Sequence, residues 1–402
     1  HQSLFLVDDQ NLWSALGILG AATGDPNLAA LGYLTNLQNN RNYDGDSDLW
    51  AVFAQGTFNL SDRFRLTLGA RYSDEKKSAH RVMDVINSQT GQFDLTQAVV
   101  ANAVFGADFK TLGEVTDGLY PIHDLRGERS ESSFTPSAIL EFDATEDTML
   151  YVSAKKGFKS GGFDSQGNAA GNFEFEDENV KAYEGGMKTR FAGGVAELNV
   201  ALFYTDYQDL QVSQFDGTLG FVVGNAAAAT SQGVELDGRW AITDKWTLLG
   251  SVGYLDFTFD DYQGAACPAM DALITGEELC DFTGKPNIFT PEWSASVSLD
   301  YLTPITGSMN FHGVLDTNYV DEQFVDVTLN PDVKQDSFTK LNARIALEAD
   351  WWSVALVGTN LTDEDITTFI TDTPLSNTLG APAYTAYMDR PRTFTLQVGF
   401  YY

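Results

Sequence analysis

Histidines and carboxylates are the side chains that could carry catalysis or bind a metal in this chain. The four histidines are His1, His80, His123 and His312, and none of their spacings matches a helical zinc-binding motif. His80 and His123 fall in or beside one long polar stretch, so a shared metal role and two separately exposed rings are both open. The sequence has neither a G-x-S-x-G nucleophile elbow nor a P-loop. We therefore predict no enzyme and no bound cofactor.

Three aspartates at alternate positions, Asp44, Asp46 and Asp48, resemble the start of a calcium loop. The pattern then departs from an EF-hand, because Leu49 stands at the glycine position and Gln55 at the glutamate position. These aspartates are weak metal candidates, and a solvated acidic rim is the alternative. A further acidic cluster is predicted at a rim, where loose cation binding is an option; its members are Glu174, Glu176, Asp177 and Glu178.

Composition excludes several classes of protein. The 402 residues contain no clear linker, and 56 acidic against 24 basic residues give a net charge of -32. That balance argues against nucleic-acid binding and against a basic helix adsorbed on a membrane. Mean hydropathy is -0.17 and no apolar run reaches 18 residues, so no transmembrane helix is predicted. A barrel strand stays possible, because only every second residue of such a strand faces lipid.

The informative signal is alternation of apolar and polar residues, which indicates strands. In 63–72, for example, one face carries Phe64, Leu66 and Leu68. Thirteen strands are predicted, at 48–59, 63–82, 129–143, 148–163, 178–191, 195–214, 222–240, 245–260, 289–302, 308–326, 338–349, 352–371 and 391–402. In the last strand we expect Phe394, Leu396, Val398 and Phe400 to face lipid, with Thr395 and Gln397 facing a lumen.

Three features favour an all-β transmembrane antiparallel barrel over a soluble β-sandwich. The predicted strands are longer than the usual five or six residues of a sandwich strand. Aromatic residues stand at the ends of the apolar stripes, as at Trp50 and Phe58 or at Trp246 and Tyr254. Short connections such as 59–62 alternate with long polar ones, which is typical of periplasmic turns and extracellular loops.

Five motifs then resemble one family. They are the Gly-Phe-Lys-Ser-Gly-Gly-Phe stretch at 157–163, Tyr183-Glu184-x-Gly186-x-Lys188, the SQGVELD stretch at 231–237, the VGTNLTDED stretch at 357–365, and the closing strand that ends in an aromatic residue, Tyr402. In this order they are similar to the TonB-dependent outer-membrane receptors, and the resemblance covers about residues 48–402. The glycines of the first two motifs are expected to relieve crowding in tilted strands, with ligand contact as the alternative.

The resemblance implies a barrel of about 22 strands with a plugged lumen. It also implies energy-coupled import of a scarce nutrient across the bacterial outer membrane. Ferric siderophore is the first expectation, followed by cobalamin or carbohydrate. The implied partners are the TonB–ExbB–ExbD complex, acting through the plug, together with the nutrient, lipopolysaccharide and other outer-membrane lipids. A passive porin-like channel and a structural or adhesive β-protein are the alternatives.

Substrate contacts are predicted on long loops. Tyr120, Tyr262, Phe282 and Tyr384 could stack on sugars or catecholates, or they could anchor the loops by packing. Three lysines near the expected outer rim could meet lipopolysaccharide phosphates or stay solvated; they are Lys155, Lys156 and Lys159.

Cys267 and Cys280 lie 13 positions apart in one predicted extracellular loop. A metal pair would lack partners, and the spacing excludes a redox C-x-x-C. In a protein of the cell envelope this arrangement predicts a disulfide.

The chain is expected to be part of a longer protein. Residue 1 is histidine, no signal peptide precedes the first strand, and no plug or TonB box is present. Residues 1–47 are predicted as an extracellular loop and 48–402 as the strands and loops of a partial barrel domain. An odd count of thirteen strands, where bacterial barrels have even counts, suggests that about nine strands and the plug precede His1.

Overall fold

One large antiparallel sheet dominates the computed structural model. The model describes residues 2–4, 21–22, 24, 37–87, 90, 123–166, 173–215, 221–277, 279–373 and 383–401. No helix in that part of the chain is long and apolar enough to cross a membrane. The sheet has fourteen strands, named β1 (Gln2–Leu4), β2 (Leu37–Asn59), β3 (Phe64–Asn87), β4 (His123–Asp143), β5 (Thr148–Lys159), β8 (Glu178–Phe191), β9 (Ala196–Phe215), β10 (Phe221–Ala241), β11 (Trp246–Tyr262), β14 (Trp293–Thr306), β15 (Met309–Val320), β16 (Phe338–Ala349), β17 (Trp352–Thr359) and β20 (Thr393–Phe400).

Three small two-stranded ladders lie in the connections between these strands. They pair β6 (Gly162–Phe163) with β7 (Glu174–Phe175), β12 (Ala265–Ala266) with β13 (Leu279–Cys280), and β18 (Thr367–Asp372) with β19 (Tyr384–Met388). A short helix, α1 (Ala269–Thr275), and two 3-10 turns at Ala192–Gly194 and Pro331–Val333 complete the described elements.

All thirteen predicted strands are present, and two of them, 178–191 and 338–349, match to the residue. The strand predicted at 48–59 begins earlier, at Leu37, so part of the predicted 1–47 loop is strand, as is Gln2–Leu4. Pairing of Gln2–Leu4 with Asn39–Arg41 raises the count to fourteen. Because fourteen is even, parity carries no information about what precedes His1.

Three predicted strands end earlier than expected because their last residues fold into connections. β5 ends at Lys159, and the last two residues of the predicted strand form β6. β15 ends at Val320 instead of 326. The strand predicted at 352–371 is two strands, β17 and β18, because Asn360 takes a left-handed backbone conformation with φ 51° that breaks the ladder.

The register of the sheet collects the apolar side chains on one face. Ala138 stands opposite Ala154, which stands opposite Tyr183, which in turn stands opposite Tyr204. The other face is polar: Tyr151 donates a 2.6 Å hydrogen bond to Glu184, for example. This division is the one a membrane barrel needs, with the apolar face toward lipid and the polar face toward the lumen.

Aromatic rings border the apolar face at two levels, which we name the upper and lower girdles. Rings in the two girdles touch across strands, with centroids 4.4 Å apart at Trp246 and Tyr301 and 4.9 Å apart at Tyr254 and Trp293. The upper girdle comprises Trp50, Tyr72, Phe134, Tyr183, Tyr204, Tyr254, Trp293 and Tyr319, and the lower girdle Phe58, Phe64, Phe142, Phe191, Trp246, Tyr301 and Phe311.

Seven strands carry their upper and lower rings eight residues apart, as at Tyr72 and Phe64. Eight residues correspond to about 26 Å along a strand, or roughly 20 Å of height at a tilt of about 40°. That height is close to the roughly 25 Å of the lipid-facing band of outer-membrane barrels.

The connections alternate in length along the sheet. Those at the lower girdle are short, such as 60–63, 242–245 and 307–308. Most of those at the upper girdle are long, such as 160–177 and 263–292. β2 and β3, of 23 and 24 residues, extend well beyond the upper girdle. We name this upper end of the sheet the rim.

Two neighbouring glycines of β8 differ in how closely the atoms of adjacent strands approach them. A Cβ atom on Gly186 would lie 2.5 Å from the Val200 carbonyl oxygen and 2.6 Å from the Tyr151 ring, whereas a Cβ on Gly185 would meet nothing closer than 3.7 Å. Gly186→Ala is therefore expected to lower the free energy of unfolding by about 1–3 kcal/mol. Urea titration followed by tryptophan fluorescence measures this loss. Gly185→Ala is the control, and equal midpoints for the two variants would contradict the packing argument.

Candidate substrate-facing rim

The connection after β5 folds down onto the lumen-side surface of β3 and β4. Its main anchor is a buried ion pair in which Arg81 lies 2.9 Å from Asp164, with side chains 0% and 4% exposed. The Arg81 guanidinium also lies over the Phe173 ring at 5.1 Å. Burial lowers the pKa of Arg81, and the nearby Asp164 carboxylate opposes that shift. Removing either partner would leave an uncompensated buried charge, which is strongly destabilising. The ion pair therefore holds the connection against β3.

Arg129 is a second anchor of the same connection. Its guanidinium lies 3.1 Å from Glu131, 3.2 Å from Glu174 and 2.7 Å from Glu176. Burial opposes the charge of Arg129, but the hydrogen bonds that it donates to Glu176 and Glu131 outweigh burial and raise its pKa. Asp177 lies 3.9 Å from the same guanidinium, so three members of the predicted acidic cluster pair with one arginine in this structure.

The glycines of the 157–163 motif permit this close packing. A Cβ on Gly161 would lie 2.5 Å from both the Arg129 guanidinium carbon and the Phe175 carbonyl oxygen. On the facing strand, a Cβ on Gly127 would lie 2.1 Å from the Phe163 ring. Gly161 therefore makes room for its neighbours, which is the relief of crowding expected for the glycines of this motif.

The connection after β11 is closed by a disulfide between Cys267 and Cys280, which confirms the predicted pair. Tyr262 and Phe282 are buried beside it, with 7% and 1% exposure, and their ring centroids lie 5.5 Å apart. They pack in one apolar cluster with Phe259. Both rings therefore pack inside the loop's apolar cluster.

Tyr384 is the one predicted aromatic contact that the described residues leave partly exposed, at 37%. Its hydroxyl oxygen accepts a 2.8 Å hydrogen bond from the Asn330 side-chain amide. Tyr120, the fourth predicted aromatic contact, lies outside the described residues.

Two carboxyl groups near Tyr384, Asp326 and Asp372, interact electrostatically. Asp326 is 3% exposed and accepts a hydrogen bond from the Thr328 hydroxyl. Burial raises the pKa of Asp326. Burial, reinforced by the Asp326 charge, raises the pKa of Asp372 to about 6. The 321–337 connection is joined to the ladder of β18 and β19 by a 2.9 Å hydrogen bond that the Ile370 amide donates to the Val325 carbonyl oxygen.

This pair makes the ladder sensitive to pH. The pKa of Asp372 in the folded protein is above the ordinary value near 4, so its stabilising contribution is present at low pH and is lost as pH rises through about 6. Hydrogen-exchange protection of β18 and β19 is therefore expected to fall between about pH 4 and pH 6.5 and to level off above that range. Asp372→Asn should flatten that dependence, whereas Asp332→Asn, in the neighbouring 3-10 turn, should retain it. A wild-type protection profile that does not change across this range would contradict the assignment.

Asn360, the asparagine of the 357–365 motif, organises the start of the last long connection. Its side chain donates to the carbonyl oxygens of Glu364 at 2.9 Å and Arg390 at 3.3 Å, and it accepts from the Glu364 amide at 3.0 Å. With 1% exposure, it is among the most buried polar residues described. The motif therefore holds both ends of the connection together.

The predicted aspartate triplet does not form a loop. Asp44, Asp46 and Asp48 lie on the outward face of β2, opposite His80, Ser78 and Lys76. Alternate residues on a strand lie about 6.6 Å apart, so the three carboxylates cannot converge on one ion. Among the described residues, no group of three or more histidine, cysteine or acidic side chains could hold a metal.

The histidines are placed separately. His80 lies 2.8 Å from Asp124 on the outer surface. His312 lies on the lumen face, 2.8 Å from Asp300 and 3.3 Å from Glu348. The side chain of His123 and all of His1 lie outside what the structure describes.

The three rim lysines divide between the two faces of β5. Lys155 and Lys159 fall on the lumen side, whereas Lys156 points outward. The paired carboxyl groups at the rim and the partners of Arg129 were not predicted, because they come from connections distant in sequence. The face of each lysine, in contrast, follows from the alternation of β5 alone.

A search against protein-family models matches residues 7–361 to "TonB dependent receptor-like, beta-barrel". The chain belongs to the TonB-dependent receptor family. Members of this family are outer-membrane transporters, and this barrel chain is placed in the bacterial outer membrane.

Curated relatives of this TonB-dependent receptor include the pesticin receptor of Yersinia enterocolitica (serotype O:8 / biotype 1B), which is 24% identical over 260 residues. That alignment covers 63% of this chain and 32% of the relative. The metal-pseudopaline receptor CntO of Pseudomonas aeruginosa is 27% identical over 134 residues, covering 33% of this chain and 18% of the relative. The chain thus spans a third or less of the length of these relatives.

Solved structures show the same fold. The ferric yersiniabactin uptake receptor FyuA from Yersinia pestis superposes with a TM-score of 0.66 at 18% identity, covering 90% of this chain and 46% of FyuA. The siderophore receptor PiuA from Acinetobacter baumannii gives a TM-score of 0.62 at 18% identity, covering 89% of this chain and 44% of PiuA.

Proposed function

We propose that the protein carrying this chain imports a scarce nutrient across the outer membrane in an energy-coupled, TonB-dependent manner. The observation that carries the proposal is the family match over residues 7–361, supported by a sheet with one lipid-facing and one polar face. Loops anchored over the rim would form the outer part of the binding site. The TonB–ExbB–ExbD complex would supply the energy through a plug.

A ferric siderophore is the substrate class we favour. Proteins similar to this chain in sequence or fold include a pesticin receptor, a ferric yersiniabactin uptake receptor and a siderophore receptor. Tyr384 is the candidate contact residue on this chain, since its ring is partly exposed at the rim. Cobalamin and carbohydrate are the other substrate classes to be tested.

Uptake in a strain that lacks its other iron receptors tests the proposal. Cells expressing the protein receive ⁵⁵Fe bound to catecholate, hydroxamate or phenolate siderophores, with labelled cobalamin and an oligosaccharide in parallel. We expect uptake of one iron complex that stops when tonB is deleted or the proton gradient is collapsed. Uptake that survives both treatments would instead indicate a passive porin. If cells that express the protein take up none of these nutrients but still attach to surfaces, the result would favour an adhesive β-protein.

Outer-membrane lipids are the remaining proposed partners. The apolar face between the girdles is the surface that acyl chains would cover. Lipopolysaccharide headgroups would surround the strands above the upper girdle.

A further inference from the structure

Strand β19, in the last long connection of the rim, pairs with a described strand along only one of its two edges. That partner is β18. The Ala383 carbonyl oxygen and the Asp389 amide, just beyond the two ends of β19, both bond toward the β18 side at 2.7 Å. Because backbone groups alternate in direction along a strand, the N–H and C=O groups of Tyr384, Ala386 and Met388 point the other way. We name that side, with which no described strand pairs, the free edge of β19.

The outer edge of β18, in contrast, is covered by the 321–337 connection. The Ile370 amide donates to the Val325 carbonyl oxygen at 2.9 Å, away from β19. Ile370 stands opposite Ala386 in the ladder. An antiparallel pair that does not exchange hydrogen bonds directs the backbone groups of both residues outward, so this contact agrees with the direction assigned to Ala386.

The composition of β19 does not protect its free edge. Exposed edge strands usually carry a lysine, a proline or a bulge, each of which discourages pairing with another chain. The five residues of β19 read Tyr-Thr-Ala-Tyr-Met, with neither charge nor proline, although charged residues make up 20% of the whole chain. The register shift of this ladder lies on β18, between Thr367 and Phe369. The free edge is therefore regular and uncharged.

The side chains around the free edge are open to a ligand. All five residues of β19 are exposed, and Tyr387 is more exposed than Tyr384, at 56% against 37%. The Phe369 ring extends the aromatic surface, with its centroid 6.2 Å from that of Tyr387. Below the ladder, Asp389 and Arg390 line a cavity of about 460 Å³ together with lumen-facing residues of β16 and β17. A ligand along β19 would therefore lie at the entrance from the rim to the lumen side.

We propose that the free edge of β19 binds a ligand with an extended peptide backbone, which adds to the ladder as a third strand. The outward N–H and C=O groups of Tyr384, Ala386 and Met388 would bond to alternate residues of the ligand. Tyr384 and Tyr387 lie on opposite faces of the strand, so they would contact ligand side chains on the two sides of the sheet.

The neutral strand also defines the charge of this ligand. A charged ligand side chain would meet no opposite charge on β19, so an uncharged segment fits best. The inference rests on the proposed import function and narrows its substrate to a compound that contains a peptide backbone. That compound is either a short peptide or a metal chelator built on one, and both present the same backbone amides.

Binding of a defined peptide to the native protein in zwitterionic nanodiscs tests the site. The probe is fluorescein-labelled Thr-Thr-Phe-Ile-Thr, which copies β18 residues that already pair with β19, and fluorescence anisotropy measures its affinity. Two N-methylated forms of the probe are matched ligands, one methylated at its odd positions and the other at its even positions. Strand addition uses the amides of only one set. One form should therefore bind like the unmodified probe and the other roughly tenfold more weakly or worse. Equal affinities of the two forms would overturn the proposal.

Hydrogen exchange at single-residue resolution gives an independent measurement. Probe binding should slow exchange at the amides of Tyr384, Ala386 and Met388, whereas those of Thr385 and Tyr387, which face β18, should change little. If the three outward amides are already protected in the free monomeric protein, another part of the protein occupies the edge and the proposal is wrong. Protection that appears only on dimerisation, without probe, would likewise replace the ligand site with pairing between two copies.

Ala386→Pro is the corresponding change in the protein, because proline removes the central outward donor and leaves the inward bonds of the neighbouring residues. It should weaken probe binding about tenfold, whereas Ala386→Ser keeps the donor and should bind like the wild type. If the proline disturbs the ladder, the two N-methylated probes still decide, since they use the wild-type protein. Probe binding without tonB-dependent uptake of any nutrient would contradict the proposed import but support this site. Uptake by a protein that does not bind the probe would contradict the site alone.

Discussion

Arginine at position 396 is expected to destabilise the barrel by about 2–4 kcal/mol, the cost of a basic side chain near the bilayer midplane. Leu396 is 69% exposed on the apolar face and stands opposite Leu356, which stands opposite Ile345. It lies four residues from Phe400 at the lower end of β20, which is half of the interval between the girdles. Reversible unfolding by urea in phospholipid vesicles measures the loss.

Thr395→Arg is the control for this experiment. Thr395 is the adjacent residue, stands opposite Val357, and belongs to the face that carries the polar lumen side chains. Its arginine would be hydrated, so its cost should stay below about 1 kcal/mol. If Thr395→Arg proved the more damaging variant, the faces assigned to β20 would be reversed, since a shift of one residue exchanges them.

Asn360→Ala is expected to lower the stability of the last long connection by about 2–4 kcal/mol. The substitution removes four hydrogen bonds of the Asn360 side chain, of which the one from the Thr362 hydroxyl is the longest at 3.4 Å. Each contributes about 0.5–1.5 kcal/mol, and the Glu364 amide and two carbonyl groups lose these partners. It also places alanine at φ 51°, a conformation that asparagine adopts more readily. Native-state hydrogen exchange of β18 and β19 reports the free energy of opening.

Two further variants separate the contributions at this site. Asn360→Gly tolerates the left-handed backbone but lacks the side chain, so it should recover only the conformational part of the loss. Asn59, the last residue of β2, begins a similar Asn-Leu-Ser sequence, yet its side chain is exposed. Asn59→Ala is therefore expected to change stability by less than about 0.5 kcal/mol. Equal opening energies for Asn360→Ala and the wild type would show that the loop is held by other contacts.

The faces of the strands could be predicted from sequence because alternation is a local property. Phe394, Leu396 and Val398 are apolar, whereas Thr395 and Gln397 are polar. Only one register therefore turns the whole apolar set toward lipid. The same alternation places the polar residues toward the lumen. Strand ends were less predictable, since apolar residues such as Ile366 and Ile370 continue the pattern beyond the point where Asn360 ends the ladder.

The candidate site could be predicted only in part. Cys267 and Cys280 are close in sequence, so their pairing was accessible. Whether Tyr262 and Phe282 bind a ligand or anchor a loop depends on Leu329 and other residues from distant connections that pack against them. The free edge of β19 likewise depends on the contact between β18 and the 321–337 connection, which the sequence of either strand alone does not contain.

The constant eight-residue interval between the girdles has a consequence for the choice of membrane. It sets a hydrophobic thickness of roughly 20 Å, whereas an average bilayer has a hydrocarbon core of about 30 Å. In such a bilayer the lipids around this barrel would have to compress, at a cost of a fraction of a kcal/mol for each ångström of mismatch. The bacterial outer membrane is thinner than average, so this mismatch penalty favours residence there over thicker membranes.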